Sequence, residues 1–548
     1  MGPQELTLPG SRPRGARSVL LDLGLLALSA FLFALSFPSF LSVQGWFPLG
    51  FVCLAPLFAV VRRASWPAVP FYGLFFGYAS YALFNYWLGR FYPLALVIVP
   101  PIYAAYFLVT LPALKLADTL FPRHAHLLQA ALWVCYEYFL KTSGFLAYSY
   151  GNLGYSQHAF LPFIQVADLA GVWVVSLLVV YPSTLIGRAC ADGLAALRTS
   201  WRGYVVAAAA YAAVFAAVVV YGSVSFADTR GDRQWRVALV QQDVDPWKGG
   251  YAAYRTSLDV LERQSTRALA GSGTERPEIV IWSETSFVPA IDWHTRYRPD
   301  NQTYGLVKEL RDFLSAQTVP FVVGNDDGEL RRVDEGQDAR VDFNASLLFD
   351  HGQIVDTYRK LHLVPFTESF PFKKTLPRIY QWLVNADTHF WEKGTVYTVF
   401  QAGGVRFSTP ICFEDTFGYL CRGFVQRGAD VLVNMTNDLW SRSEACAMQH
   451  MTMAVFRAVE NRRSVVRSTN GGMTNIIDPN GRILASLAPF TEGCLLGSVP
   501  VHQGVRTLYT RWGDWLPPVL LGLSAAALAA GIVRRIRTGR PVRSSPGT

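Results

Sequence analysis

Three stretches of this chain carry side chains able to do nucleophilic chemistry. The first is TPICFED, Thr409 to Asp415, where Cys412 ends an alternating pattern, VRFSTPIC, and opens a helical one, FEDTFGYLCRGFVQRGAD. A cysteine at a strand-to-helix junction faces backbone N–H groups and the positive end of a helix dipole, which predicts a thiolate nucleophile. Glu414 and Asp415 follow at once, and their charge would raise the thiol pKa again unless a cation compensates. The second stretch is WSETSF, where Glu284 ends the apolar run EIVIWSE; its apolar neighbours suit a general base, and a strand-end capping carboxylate is the plainer reading. The third is YRKLHLVPFTESFPF, Tyr358 to Phe372, in which Lys360 and Glu368 stand among apolar and aromatic residues. Lysines are usually solvated, but Lys360 is the cation that the cysteine and its acids require, able to hold a thiolate and later an oxyanion. Beyond these, NMTNDLW and MQH bring Asn434, Asn437, Asp438, Trp440, Gln449 and His450. His450 reads as a core histidine or as the base of a papain-like pair with Cys412, and that pair leaves Glu284 and Lys360 without roles.

Positioning such groups takes a sheet. From Phe226 to Tyr509, short β-branched runs (WRVALVQQD, EIVIWSE, PFVVGND, ASLLFD, VRFSTPIC, DVLVNMTN, SVVRSTN) alternate with helical stretches such as Tyr251 to Ala270, Tyr304 to Ala316 and Ala445 to Arg463. That alternation predicts an α/β sandwich.

The remainder is membrane-like. The 548 residues are 51% hydrophobic and only 16% charged, too long for one ordinary domain and too apolar for a purely soluble protein. Runs of spanning length are expected at Val19 to Phe37, Trp46 to Val61, Val69 to Leu88, Leu94 to Leu114, Leu127 to Leu146, Ile164 to Ile186, Tyr204 to Ser223 and Trp515 to Val533, about eight spans in all. Alternate connections carry Arg62 and Arg63, Lys115 and Arg123, and Arg188, Arg198 and Arg202, and the tail carries Arg534, Arg535, Arg537, Arg540 and Arg543. The positive-inside rule then puts both termini in the cytoplasm and the long stretch between the last two spans outside. Asp22, Glu137 and Asp168 are acids in or beside apolar runs, each read either as functional or as a helix-to-helix hydrogen bond. The loop SYGNLGYSQHAF, Ser149 to Phe160, reads as re-entrant or interfacial.

The formal charge of +9 comes from scattered arginines near span ends and in the termini, which argues against nucleic-acid binding. Seven cysteines without a C-x-x-C pair indicate neither a disulfide framework nor a zinc site, so neither metal nor cofactor is expected.

A Glu after a W-x strand end, a Lys in Y-x-K-x-x-L-V-P-F-x-E and a Cys in I-C-[YF]-E, in that order, resemble the Glu-Lys-Cys triad of the nitrilase, or carbon–nitrogen hydrolase, superfamily. With spans on either side, and with GNLGYSQ, NDLW, QH and RSTNGGMT, nearly the whole chain resembles the apolipoprotein N-acyltransferase family. The resemblance implies a polytopic α-helical membrane domain (residues 1–224), an extracytoplasmic nitrilase-like α-β-β-α sandwich (225–510), and a final transmembrane helix with a basic cytoplasmic tail (511–548). It also implies Glu284 as general base, Lys360 as electrostatic stabiliser and Cys412 as nucleophile. Glu368 and Glu414 are implied as supporting carboxylates, and Trp247, Asn437, Trp440 and His450 as candidate substrate-binding residues. Phe413 stands where the family has tyrosine. The family's W-F-G turn reads Trp440, Ser441, Arg442, and its G-P reads Cys446, Ala447, departures that bear on the lid over the substrate.

The activity implied is transfer of a fatty acyl chain from the sn-1 ester of a phospholipid, through a cysteine thioester, to the α-amino group of the N-terminal diacylglyceryl-cysteine of apolipoproteins. The setting implied is a monomer in the bacterial inner membrane, its catalytic domain periplasmic. The alternatives are a membrane-anchored amidase using the same triad with water, and a non-catalytic scaffold. Phe366, Phe370, Phe372, Tyr380 and Trp382 read either as an apolar arm dipping into the bilayer interface or as core.

Overall fold

The β-branched runs fold into twelve strands: β1 (Arg233–Gln241), β2 (Ile279–Trp282), β3 (Phe321–Asp334), β4 (Gln337–Asp350), β5 (Gln353–Arg359), β6 (Phe400–Ala402), β7 (Val405–Ser408), β8 (Val431–Asn437), β9 (Ser464–Asn470), β10 (Thr474–Ile477), β11 (Ile483–Leu487) and β12 (Gly493–Val501). These come from a computed structural model that describes residues 15–538 apart from 92, 145, 272–275, 335–336 and 386–387. Arg12, Arg14, Arg540 and Arg543 lie outside the described residues. By internal contacts the chain divides into two compact units, one of residues 1–160, 173–220 and 515–548 and the other of 161–172 and 221–514.

The second unit holds two six-stranded sheets, ordered β12-β1-β2-β3-β4-β5 and β11-β10-β9-β8-β7-β6. In each, three central strands run parallel, β1-β2-β3 and β7-β8-β9, and the flanking pairs are antiparallel. Central parallel strands are covered on both faces, which is why β2, Ile-Val-Ile-Trp, is buried at every residue. The sheets meet face to face: the Ser468 hydroxyl donates to the Ile281 carbonyl at 3.0 Å, and the Ser346 and Thr409 hydroxyls lie 2.6 Å apart. Helices Tyr251–Leu269 and Asn301–Ser315 pack on the outside of the first sheet. In the latter, Leu306, Val307, Leu310 and Leu314 form one buried stripe, each worth about 1.5–3 kcal/mol. Asp300 caps that helix, accepting the Thr303 N–H at 2.6 Å. Helices Gly418–Gln426 and Glu444–Asn461 cover the second sheet. The expected α-β-β-α layering is present.

The first unit is helical. Five helices among the described residues are long and apolar enough to cross a bilayer: Ala16–Leu35, Ala95–Leu120, Val172–Leu194, Leu197–Val224 and Leu516–Thr538. The other expected segments are shorter. Trp46 to Val61 is the 3-10 turn Phe47–Phe51 followed by Ala55–Arg63, Val69–Phe84 has 16 residues, and Ala125–Cys135 continues as the π-helical turn Tyr136–Thr142. The expected run Ile164 to Ile186 is corrected: the helix breaks at Gly171 (φ +70°), and the long helix begins at Val172. Residues 161–172 pack in the second unit, where Asp168 accepts from Arg462 at 2.7 Å and from the Tyr221 hydroxyl at 2.8 Å.

At one end of the helical unit Arg62 binds Asp118 and Asp192, each at 2.5 Å, and Arg63 binds Asp22 at 2.7 Å. Glu137 takes the Trp133 indole N–H at 3.0 Å and the Leu153 N–H at 2.7 Å, so it holds the loop Gly151 to Gln157, which is buried in this unit. Asp22, Glu137 and Asp168 thus all act as hydrogen-bond or ion-pair anchors.

Candidate active site

Glu284 leaves the end of β2 where the backbone turns sharply, with Thr285 at φ +44°. The turn is possible because Gly324 of β3 lies beneath it; a Cβ there would sit 2.7 Å from the Thr285 nitrogen and closer still to the Ser283 carbonyl oxygen. The Glu284 carboxylate, 5% exposed, accepts from Asn344 Nδ2 at 2.9 Å and Lys360 Nζ at 3.2 Å on one oxygen. Its other oxygen accepts the Asn437 backbone N–H at 3.0 Å.

Lys360 follows β5 directly and is fully buried. Its N–H donates to Asn344 and its carbonyl accepts from Gly394, both at 2.8 Å, so the side chain enters the site from a clamped backbone. Nζ also donates to Glu368 at 2.7 Å. Burial alone would lower the ammonium's pKa, but Glu284 and Glu368 outweigh it and hold Lys360 charged, its pKa well above the ordinary value. Burial raises Glu368, and Lys360 offsets part of that rise.

Cys412 has φ +51° and opens the five-residue 3-10 turn Cys412–Thr416; the α-helix begins only at Gly418. The expectation of a thiolate at a helix start is therefore corrected. Burial pushes the thiol well above its ordinary pKa, the Glu284 charge adds to this, and Lys360 counters only part of it. The Cys412 side chain itself is part-exposed, and the charges of Glu284 and Lys360 act on it in opposite senses.

The two acids after the cysteine are not the liability their spacing suggests. Glu414 turns inward, accepting the Leu361 N–H at 2.7 Å, the His362 N–H at 2.9 Å, the Ile411 N–H at 2.7 Å and the Tyr358 hydroxyl at 2.8 and 2.9 Å. It therefore ties the lysine segment to the cysteine turn. Asp415 pairs with His450 at 2.9 Å and with Arg467. His450, 1% exposed, spends its other ring nitrogen on Asp438 at 3.0 Å. The reading of His450 as a substrate contact is corrected, as is the papain-like pair, because both nitrogens face carboxylates inside the core.

The other expected residues divide. Asn437 touches the site through its N–H to Glu284, and Trp440 sits in the next turn, 39% exposed. Phe413 is buried, its ring 4.8 Å from that of Phe417. Trp247 is half exposed, its ring 6.0 Å from that of Trp391, whose backbone N–H donates to the Glu368 carbonyl at 2.9 Å. Sequence reasoning missed Asn344, Gly324 and Arg467; a lone polar residue or glycine inside an apolar strand, as in FVVGND and VDFNAS, was the available signal.

Residues 29–185 match the model of the apolipoprotein N-acyltransferase N-terminal domain, and residues 236–507 match that of carbon-nitrogen hydrolases. Apolipoprotein N-acyltransferase 1 of Treponema pallidum is 43% identical, covering 95% of this chain and 97% of that one. Apolipoprotein N-acyltransferase 1 of Treponema denticola is 40% identical, covering 90% and 93%. The chain belongs to the apolipoprotein N-acyltransferase family. Membership in that family accounts for the joining of an apolar helical half to a nitrilase-like half, and it makes the protein an acyltransferase of the membrane.

Proposed function

We propose that Cys412 carries a fatty acyl group from a phospholipid to the N-terminal amine of an apolipoprotein. The observation that carries this reading is the buried bond from Lys360 to Glu284, two groups that both act on the charge of the Cys412 thiol. Because burial disfavours a free thiolate at Cys412, attack needs a base in place, and Glu284 takes the proton as sulfur adds to the sn-1 ester carbonyl. The Lys360 ammonium holds the oxyanion. Collapse forms the thioester and breaks the ester C–O bond, and Glu284 returns its proton to the departing lysophospholipid oxygen. In the second half the α-amine of a diacylglyceryl-cysteine attacks the thioester, Glu284 takes a proton from nitrogen, the amide C–N bond forms as the C–S bond breaks, and Glu284 returns that proton to the Cys412 sulfur.

Glu368 supports this cycle by keeping Lys360 charged and placed, and Glu414 by joining the two backbones. We assign Asn437, Trp440 and Trp247 to the substrate border, a reading that the Asn437 N–H bond to Glu284 supports for the first. Water as acceptor would make the same triad an amidase, but the match of the helical half to the family's N-terminal domain favours lipid-bound substrates.

For the cellular setting we infer the bacterial inner membrane with about eight spans, three of them shorter than a straight crossing. The Arg62 and Arg63 ion pairs, which gather the basic connections at one end of the helical unit, support a cytoplasmic placement of that end and of both termini. The catalytic domain then faces the periplasm, and the protein acts as a monomer. The test is direct: incubation with phospholipid yields an acyl-enzyme, seen by mass, that hydroxylamine removes and that Cys412→Ala lacks. A full-strength adduct on Cys412→Ala overturns the assignment.

A further inference from the structure

The helix Glu444–Asn461 buries an ion pair that the acyl-transfer cycle leaves unused. Arg457 and Glu460, one turn apart and each 1% exposed, are joined at 2.9 Å from Nη2 to Oε1. Each of them also reaches a second element. Arg457 Nη1 donates at 3.1 Å to the carbonyl of Thr416, the last residue of the 3-10 turn that Cys412 opens. Glu460 Oε1 accepts the N–H of Val172 at 3.0 Å, where the chain resumes as a long helix after the break at Gly171.

Two glycines make room for the pair. A Cβ on Gly418, which begins the helix after the nucleophile turn, would overlap the Tyr509 hydroxyl and lie 3.1 Å from Arg457 Nη1 and 3.3 Å from Glu460 Oε2. A Cβ on Gly171 would press on the Tyr509 ring at 2.6 Å, with Glu460 Oε1 at 3.4 Å. The backbone therefore closes on the carboxylate from both sides, and Oε2 has no hydrogen-bond partner among the described residues. A buried ion pair adds little net stability over apolar packing of the same volume. What it adds is direction, because a guanidinium fork fixes two acceptors at once.

We propose that Arg457 and Glu460 are positioning residues for the nucleophile: the carboxylate, anchored on Val172, orients the guanidinium that holds the Thr416 carbonyl, and so sets the turn that presents Cys412 to Glu284 and Lys360. This rests on the reading of Cys412 as the acylated residue. The brace needs a charged Glu460. Burial pushes that carboxyl up to about 7, Arg457 opposes the rise and Asp514 adds to it. Tyr509 and Cys421 also face it, both kept neutral by burial, and Asp168, in the segment before Val172, is spent on Arg462. From pH 6 to pH 8 the charged fraction of a group with a pKa near 7 rises about tenfold.

The test is single-turnover acyl-enzyme formation by the full chain in detergent micelles with increasing dipalmitoyl phosphatidylglycerol. In Glu460→Gln the rate at pH 8 is expected to fall about tenfold, to that of the unaltered protein at pH 6, and the rise between these pH values to shrink by the same factor. The half-saturating lipid concentration should hold. Arg457→Lys keeps the charge but not the fork; it should fold and lose about tenfold in rate, again with half-saturation unchanged. An equal rise with pH in Glu460→Gln and the unaltered protein overturns the proposal, because a merely structural pair lowers melting without touching the pH profile. Full rate in Arg457→Lys overturns it as well. A full-strength adduct on Cys412→Ala overturns the acyl-enzyme reading itself, and this assignment falls with it.

Discussion

Glu414 grips Leu361 from 53 positions away in sequence, accepting its N–H at 2.7 Å while the same carboxylate takes the Ile411 N–H, also at 2.7 Å. One side chain therefore sets the spacing between Lys360, which precedes Leu361, and Cys412, which follows Ile411. Glu414→Gln puts an amide N–H against backbone donors, each left unpaired at about 1–3 kcal/mol. We expect a loss of about 2–4 kcal/mol in stability and at least a tenfold slower acyl-enzyme formation. Unchanged melting and acylation would remove this bridging role.

Glu284→Gln keeps the shape of the acceptor but not the base. Acyl-enzyme formation in a single turnover is expected to fall by about 10²–10⁴-fold with the protein still folded. Lys360→Ala should abolish it as well. Normal acylation in both variants would dismiss the triad.

The thiol pKa offers a signed test. Because burial and the Glu284 charge raise it while Lys360 lowers it, alkylation of Cys412 by iodoacetamide should be slow at neutral pH and rise only in alkali. Removing the Glu284 charge, in Glu284→Gln, moves the alkylation midpoint down; removing the cation, in Lys360→Met, moves it up. Shifts in the opposite sense would show that the thiol does not feel these groups. The pKa gain has a simple origin: a strand pattern running into a helix pattern suggested a long dipole at Cys412, but the chain makes a tight 3-10 turn first, so burial wins.

His450 contributes a second pH signature. Burial opposes its charge, but Asp438 and Asp415 outweigh burial and raise its pKa from 6.5 to about 9. A folded pKa above the unfolded one gives stability that is complete below pH 6.5 and lost as pH rises through about 9. His450→Asn should flatten the stability profile across that window. A profile still sloping there in the variant would assign the slope elsewhere.

Gly324→Ala tests the close approach beneath Glu284. The new Cβ would press on the Ser283 and Thr285 backbone, costing about 1–3 kcal/mol and moving the base. We expect a loss of acyl-enzyme formation in a single turnover together with a lowered melting temperature. An alanine variant with full rate would mean that the turn has room to shift.

The alternation of β-branched and helical runs was enough to specify the sandwich, because buried strands must be apolar, and the charged Glu284 just after one of them stood out against it. Long apolar runs likewise marked the helical half, although they ran through the break at Gly171, and the Arg462 partner of the nearby Asp168 stands 294 residues later. Partnership at such distances is what local pattern cannot encode. Sequence named Glu414, Asp415 and His450 but could not say where their hydrogen bonds go. Only the folded chain, which turns the first to the Leu361 and Ile411 N–H groups, ties Asp415 to Arg467 and closes His450 between Asp415 and Asp438, decided where those bonds go.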